Sequence, residues 1–244
     1  GHASEHDAER RTEGCSRLSG YRAFTKTHRL RWVFSYQGKL DMSNLNPDFW
    51  QERFESGQTG WDRGAPNPQL MHWLDTGTLT PCRIAVPGCG RGWEVAELAQ
   101  RGFEVTGLDY TDAAIREAQA NLGQMGLTAN IIKADVLSYC PDQPYDAVYE
   151  QTCLCAIDPD RWIDYADQLS RWIRPGGHLY ALFMQANRPG AQEGLKEGPP
   201  FHCDINAMHA LFNRRAWIWP ESLPTAVKHP NGLFELAIRL ERKP

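Results

Sequence analysis

The stretch 86-VPGCGRGWEVAELAQRGFEVTGLDYT-111 holds the residue types that could do chemistry: an apolar run, a glycine turn, a helical pattern, and a second apolar run ending in an acid. Glycines after a strand let a backbone approach a ligand closely, and a helix N-terminus beside them can cradle a pyrophosphate when a third small residue follows the second glycine by three positions. Here that position is Trp93, and the turn reads Gly88-Cys89-Gly90-Arg91-Gly92. Such a GxGxG turn favours close approach without a pyrophosphate seat. Asp109, ending the second run, is suited to accept hydrogen bonds from two ribose hydroxyls. A ligand with a ribose and no pyrophosphate fits both features, and S-adenosylmethionine is the candidate.

These residues need a scaffold that gathers loop ends. Phe49, Trp50 and Phe54 lie at helical spacing from Pro47 to Glu55, and Leu70, Trp73 and Leu74 mark a second helix. Strands are expected at Arg83 to Pro87, Phe103 to Asp109, Ala129 to Ala134, Tyr145 to Glu150 and His178 to Met184. Helices are expected at Trp93 to Arg101, from a Thr111 or Asp112 cap to about Gly126, and from Asp158-Pro159 to just before Pro175-Gly176-Gly177. Trp217 to Pro220 begins another strand, and Leu233 to Leu240 alternates as the last. Strands alternating with helices imply an α/β fold, a Rossmann-like doubly wound sheet, mostly parallel with one antiparallel strand. In such a sheet ligands bind beyond the carboxyl ends of the strands. Gly88 and Gly90 follow strand one, Asp109 and Tyr110 strand two, Asp135 and Val136 strand three, and 150-EQTCLCAIDP-159 strand four. The segment 185-QANRPGAQEGLKEGPPF-201 is too long for an idle connector and reads as a lid.

Composition narrows the partners. With 244 residues the chain fits one domain, and a net charge of −4 with pI near 6.1 argues against a nucleic-acid surface. No window has the apolar length of a membrane span, nor the N-terminus a signal-peptide core. Seven cysteines, an odd number scattered through an α/β pattern, read as reduced thiols and a cytoplasmic setting. Residues 1–41 carry eight Lys/Arg against five Asp/Glu, a charge of +3, while the remainder carries −7. They read as an extension or tail, with the catalytic domain over 42–244 and Met42 as a natural start. Tyr21, Phe24, Trp32 and Tyr36 leave open that the arm packs somewhere.

The segments 49-FWQERFESGQTGWDRGAPNPQL-70, VPGCGRG, GLDYT, CAIDP and GPPF, in that order, resemble the thiopurine methyltransferase superfamily, which includes thiol and halide methyltransferases; the match spans about 47 to 242. The resemblance implies a class I methyltransferase with a seven-strand sheet, S-adenosylmethionine as donor and a small soft nucleophile as acceptor. It implies cofactor contacts at Trp50, Trp61, Gly88, Asp109, Asp135, Val136 and Gln151, although Trp50 and Trp61 would equally suit core or lid packing. Gln151 stands where the thiopurine enzymes have arginine, and WDRG and CAIDP resemble the thiol and halide branch more closely.

No Ser/His/Asp or paired-carboxylate signature is present, which suits in-line displacement onto a nucleophile that is already anionic. Tyr149 and Gln151 are placed to line the acceptor, with Arg188, Phe201 and His202 arriving from the lid. Arg63 either guides an anion or pairs with Glu55. Cys153, Cys155, Cys203 and His202 match no common zinc spacing, so no metal is expected. The alternative is a thiopurine or other S-, O- or N-acceptor with a base-dependent mechanism, for which His202 would be the base. The partner is a small-molecule acceptor, and a monomer is the expected state.

Deleting residues 1–41 is expected to leave folding and cofactor binding intact. A truncated protein that stays soluble but no longer binds S-adenosylmethionine by calorimetry would place the arm in the site.

Overall fold

The computed structural model describes residues 45–244; the arm 1–41 lies outside the described residues. Helices α1 (Pro47–Glu55) and α2 (Pro68–Asp75) precede β1 (Arg83–Pro87), α3 (Trp93–Gln100), β2 (Glu104–Asp109), α4 (Asp112–Gln124), β3 (Asn130–Lys133) and β4 (Tyr145–Gln151). Two short 3-10 turns lead into α5 (Trp162–Trp172) and β5 (Ile173–Gln185). Helices α6 (Pro189–Gln192) and α7 (Ile205–Leu211) then precede β6 (Trp217–Ile218), β7 (Thr225–Lys228) and β8 (Phe234–Arg242). No described helix is long and apolar enough to cross a membrane.

The eight strands form one sheet in the order β3-β2-β1-β4-β5-β8-β6, with β7 also paired to β8. All pairs from β3 to β5 are parallel, and β8 runs against each of its neighbours β5, β6 and β7. The chain order reverses at β1/β4, so the carboxyl ends of β1 and β4 flank the switch point where such sheets bind ligands. Strand residues alternate between two cores. Ala85, Val148, Ala181 and Ile238 face one, with Tyr165, Leu169 and Trp172 of α5 packed on them. Ile84, Val86, Ala147 and Tyr149 face the other, under Leu70, Trp73 and Leu98. Covering both faces is what makes the strands read as nearly continuous apolar runs.

Side-chain caps set the helix starts: Asn46 accepts from the Phe49 amide at 3.0 Å, Asn67 from Gln69 at 2.8 Å and Thr111 from Ala114 at 3.3 Å.

Three expectations change. The sheet has eight strands rather than seven, because β7, a short and largely exposed TAVK segment, carries no period-two signal. Strand β5 begins at Ile173 rather than His178, so Pro175-Gly176-Gly177 lies inside it at an irregularity opposite Tyr145 to Ala147. The cause is a close crossing of two backbones: a Cβ on Gly177 would sit 2.6 Å from the Asp146 carbonyl oxygen. The long loop before GPPF also contains α6, one short helical turn.

Gly177→Ala is expected to destabilise the protein by about 1–3 kcal/mol through that overlap, lowering Tm by about 2–4 °C per kcal/mol. Gly123→Ala, in α4 where an added Cβ meets nothing within 4 Å, should instead stabilise by about 0.5–1 kcal/mol. Thermal melts of the two variants check the opposite signs.

Candidate functional site

The turn after β1 is built by three left-handed glycines, Gly88 at φ +61°, Gly90 at +51° and Gly92 at +74°. Gly88 and Gly92 also mark close approaches. A Cβ on Gly88 would stand 3.0 Å from the Cys153 Cβ, and one on Gly92 3.0 Å from that of Ala118. The first contact pulls the β1 turn against the β4 turn; the second seats α3 on α4. The Cys89 amide bonds to the Leu108 carbonyl at 2.9 Å, tying the turn to β2.

Asp109 ends β2 with its carboxylate buried against this turn. Its Oδ2 accepts from the Gly90 amide at 3.2 Å, and its Oδ1 from the Thr111 amide at 3.0 Å and hydroxyl at 2.9 Å. Burial raises its pKa, and these hydrogen bonds oppose the rise. Oδ2, with one protein donor, keeps lone-pair capacity for a ligand hydroxyl. After β3, Asp135 Oδ1 accepts from the Leu137 amide at 2.9 Å, which holds the turn carrying Val136.

Above these loops lies a cavity of about 960 Å³, at the upper end of the range for small-molecule sites. Trp50, Trp61, Gly88, Gly90, Asp109, Tyr110, Asp135 and Val136 all line it, so the structure gathers these sequence-selected residues around one cavity. Trp61 meets the rings of Trp50 and Phe54 edge-on at 5.5 and 5.9 Å, forming an aromatic roof. The roof is fastened through its neighbour Asp62, which accepts from Trp93 Nε1 at 2.9 Å and pairs with Arg91.

Arg63 pairs with Glu235 at 3.2 Å and donates to the Lys228 carbonyl. It does not pair with Glu55, whose carboxylate stands 4.0 Å from Arg116. Tyr149 and Gln151 do not line the large cavity. They border a small one of about 60 Å³ beside Gly88, Gly90 and Arg63. The Tyr149 hydroxyl donates to Gln151 Oε1 at 2.9 Å, and Gln151 Nε2 donates to Glu235 Oε1 at 3.2 Å. Pairing with the buried Glu235 draws the amide away from the large cavity.

The lid segment reaches the cavity through Pro199 and Pro200. Arg188, Phe201 and His202 are not among the lining residues. Arg188 spends its guanidinium on the Glu197 and Pro200 carbonyls, at 2.7 and 3.0 Å, and so holds the loop in shape. Phe201 is buried under Gly198, and its amide bonds to the Cys155 carbonyl at 2.7 Å. His202 is half-buried, with Nδ1 unpartnered among the described residues.

Other lining residues escaped the sequence reading. Arg53 and Phe54 sit on the same helix as Trp50, one turn along, and the helical period alone could have found them. Cys153, Cys155 and Asp158 belong to the segment already singled out after β4. His229 and Asn231 come from the β7–β8 turn, for which the only signal was Pro230-Asn231-Gly232, a turn tripeptide. Among the described residues no group of three or more His, Cys, Asp and Glu side chains could hold a metal ion, and Cys82, Cys89, Cys153, Cys155 and Cys203 carry free thiols.

The model of the family described as thiopurine S-methyltransferase (TPMT) matches residues 45–222. A probable thiol methyltransferase 2 from Arabidopsis thaliana is 27% identical over 167 residues, 68% of this chain and 71% of the relative. A thiopurine S-methyltransferase from Pseudomonas fluorescens strain SBW25 is 27% identical over 187 residues, 69% of this chain and 82% of the relative. In fold the chain resembles the 1,6-didemethyltoxoflavin N1-methyltransferase of Burkholderia thailandensis, solved with S-adenosylhomocysteine bound. The TM-score is 0.66 at 16% identity, covering 83% of this chain and 89% of that one. This chain belongs to the thiopurine S-methyltransferase family and is an S-adenosylmethionine-dependent methyltransferase.

Proposed function

We propose that the chain transfers a methyl group to a small soft nucleophile, a thiol, bisulfide, halide or related chalcogen, by in-line displacement. The observation that carries this reading is that the carboxylates lining the cavity are already engaged. Asp109 is held by Gly90 and Thr111, Asp135 by the Leu137 amide, and Asp158 by the Asp160 amide and by Lys196 at 3.0 Å. These hydrogen bonds stabilise the ionised carboxylates and weaken them as bases, which favours an acceptor that arrives ionised or ionises readily. The rest of the wall is largely apolar, with Trp50, Phe54, Trp61, Met184, Pro199 and Pro200. Such a wall strips water from a soft anion at low cost and offers a hard oxygen or amine little in exchange.

When bound, S-adenosylmethionine supplies a methyl group already activated by the sulfonium charge. The chain's residues then have binding and alignment to do. Gly88 and Gly90 bring bare backbone to the cavity wall, and Asp109 keeps the acceptor capacity a ribose needs. Trp50 and Trp61 close the roof, with Tyr110, Asp135 and Val136 along the nucleoside side. Gln151 borders the site through the small cavity beside the glycine turn, with Tyr149 fixing its amide. Arg188 and Phe201 serve the acceptor by holding Pro199 and Pro200 in place. Alignment of this kind supplies roughly 7–11 kcal/mol in well-oriented model reactions, so no proton-transfer machinery is required.

Product analysis with labelled S-adenosylmethionine against iodide, bisulfide, alkyl and aryl thiols and thiopurines tests the reading. Turnover restricted to amine or alcohol acceptors overturns it. With iodide, kcat/KM should be nearly flat from roughly pH 6 to 9, because iodide carries no proton and the transfer uses no acid or base of the chain. Asp109→Ala should weaken S-adenosylmethionine binding by about 1.5–3 kcal/mol, the loss expected for hydrogen bonds to a charged group. Calorimetry showing unchanged affinity would remove Asp109 from the donor site.

A further inference from the structure

The sheet order divides the cavity. Asp109 and Asp135, from β2 and β3, define the nucleoside side, so the acceptor belongs on the side of β4, β5 and β8. On that side the β7–β8 turn, residues 229–233, contributes His229 and Asn231 to the wall. Backbone bonds hold this turn: the His229 amide to the Leu233 carbonyl at 2.9 Å and the Gly232 amide to the His229 carbonyl at 3.0 Å. Arg63 pins its first strand at the Lys228 carbonyl while pairing with Glu235 across the hairpin.

His229 is only 4% exposed, and its two ring nitrogens differ sharply. Nδ1 accepts from the Asn231 amide at 3.4 Å. Nε2 is buried without a hydrogen-bond partner among the described residues. Burial is the main cause that holds the imidazole below its usual pKa of 6.5; the Asn231 side chain opposes this and the Arg63 charge adds to it. The ring is therefore neutral near pH 7. With Nδ1 accepting, the one proton of a neutral imidazole sits on Nε2. A buried donor left without a partner costs about 1–3 kcal/mol, a cost that a ligand bound beside it would remove.

We propose that His229, through its Nε2–H, is the residue that holds the methyl acceptor, donating a hydrogen bond to the acceptor's nucleophilic sulfur anion or to an anionic atom beside it. This rests on the reading of the chain as a soft-nucleophile methyltransferase and assigns its acceptor-selecting residue. No proton moves to or from His229 in this role. The thiol loses its proton to solvent before transfer, and the imidazole stabilises the anion while holding its lone pair in line. A donor at this place selects thiolates over protonated amines, which have no lone pair to offer. From the sequence, His202 of the lid is the histidine expected in this region; the histidine on the wall is His229.

The test uses the full chain, with an alkyl or aryl thiol as acceptor. His229→Leu should lower kcat/KM for the thiol about tenfold or more, mainly through KM, with S-adenosylmethionine affinity by calorimetry changed less than about twofold. His229→Gln, which can place an amide N–H near the Nε2 position, should recover most of the loss. A leucine variant within about twofold of the parent, or a loss confined to S-adenosylmethionine binding, overturns the assignment. Because a leucine variant could misfold, the parent protein loaded with S-adenosylhomocysteine is also titrated with a thiolate by 15N NMR. The His229 Nε2 resonance should shift and Nδ1 should move little; thiolate binding without an Nε2 shift overturns the proposal even if the variants cannot be made. A parent that methylates none of the thiols or halides fails the broader functional reading instead. Thiolate binding at Nε2 is read independently of turnover, so the two failures are distinct.

Discussion

Glu235 is completely buried, and a carboxylate in that position survives only if several donors converge on it. Arg63 and the Asn67 amide reach it from the segment between the first two helices, and Gln151 from the end of β4. Burial raises its pKa, and the Arg63 charge is the largest influence opposing that rise. Breaking such a buried pair by removing one partner costs about 3–5 kcal/mol, because the remaining charge is stranded. The site depends on this one carboxylate. Without it the segment carrying Trp61 keeps only the bond from Arg63 to the Lys228 carbonyl on the antiparallel side of the sheet, and the guanidinium no longer spans the β7–β8 hairpin. Glu94 adds a second attachment by accepting from the Asn67 amide at 3.0 Å, and burial pushes its pKa up to about 7. Glu150, beneath the β4 turn, is likewise raised to about 7 by burial while accepting from the Leu154 amide at 2.7 Å. Three acids at the carboxyl edge of the sheet thus trade solvation for control of loop geometry.

The nucleoside half of the site was legible in the sequence because its residues follow their strands directly. Gly88, Gly90, Asp109, Tyr110, Asp135 and Val136 each lie within a few positions of a strand end, and the topology delivers them to one place whatever the side chains do. Trp50 and Trp61 were found by resemblance, and their ring contacts explain why two large aromatics stand in otherwise polar segments. The acceptor half was not legible in the same way. Whether Gln151 faces the large cavity or Glu235 is decided by a residue 84 positions away, which no local pattern records. The same holds for Arg63, whose partner is 172 positions on rather than on the neighbouring helix. The sequence points to His202 alone, and only the packing of the lid and of the last hairpin puts His229 on the wall in its place. The β5 start was misread for a related reason. Pro-Gly-Gly is a turn signal, and the backbone crossing that makes Gly177 necessary is a contact with another strand.

Cys153 and Cys155 lie on the wall of a cavity that, in the proposed reaction, brings an electrophilic methyl group to a sulfur nucleophile. Two thiols beside such a donor are rivals of the acceptor. Burial is the main cause that raises both well above the ordinary thiol range, with Glu150 adding to it at Cys153 and Cys203 at Cys155. Each is held as the protonated, weakly nucleophilic form while an incoming acceptor can ionise in water before it enters. The desolvation that readies a soft anion for attack therefore also guards the enzyme against self-methylation, and a substitution that let water or a cation reach Cys153 would turn the catalyst into its own substrate.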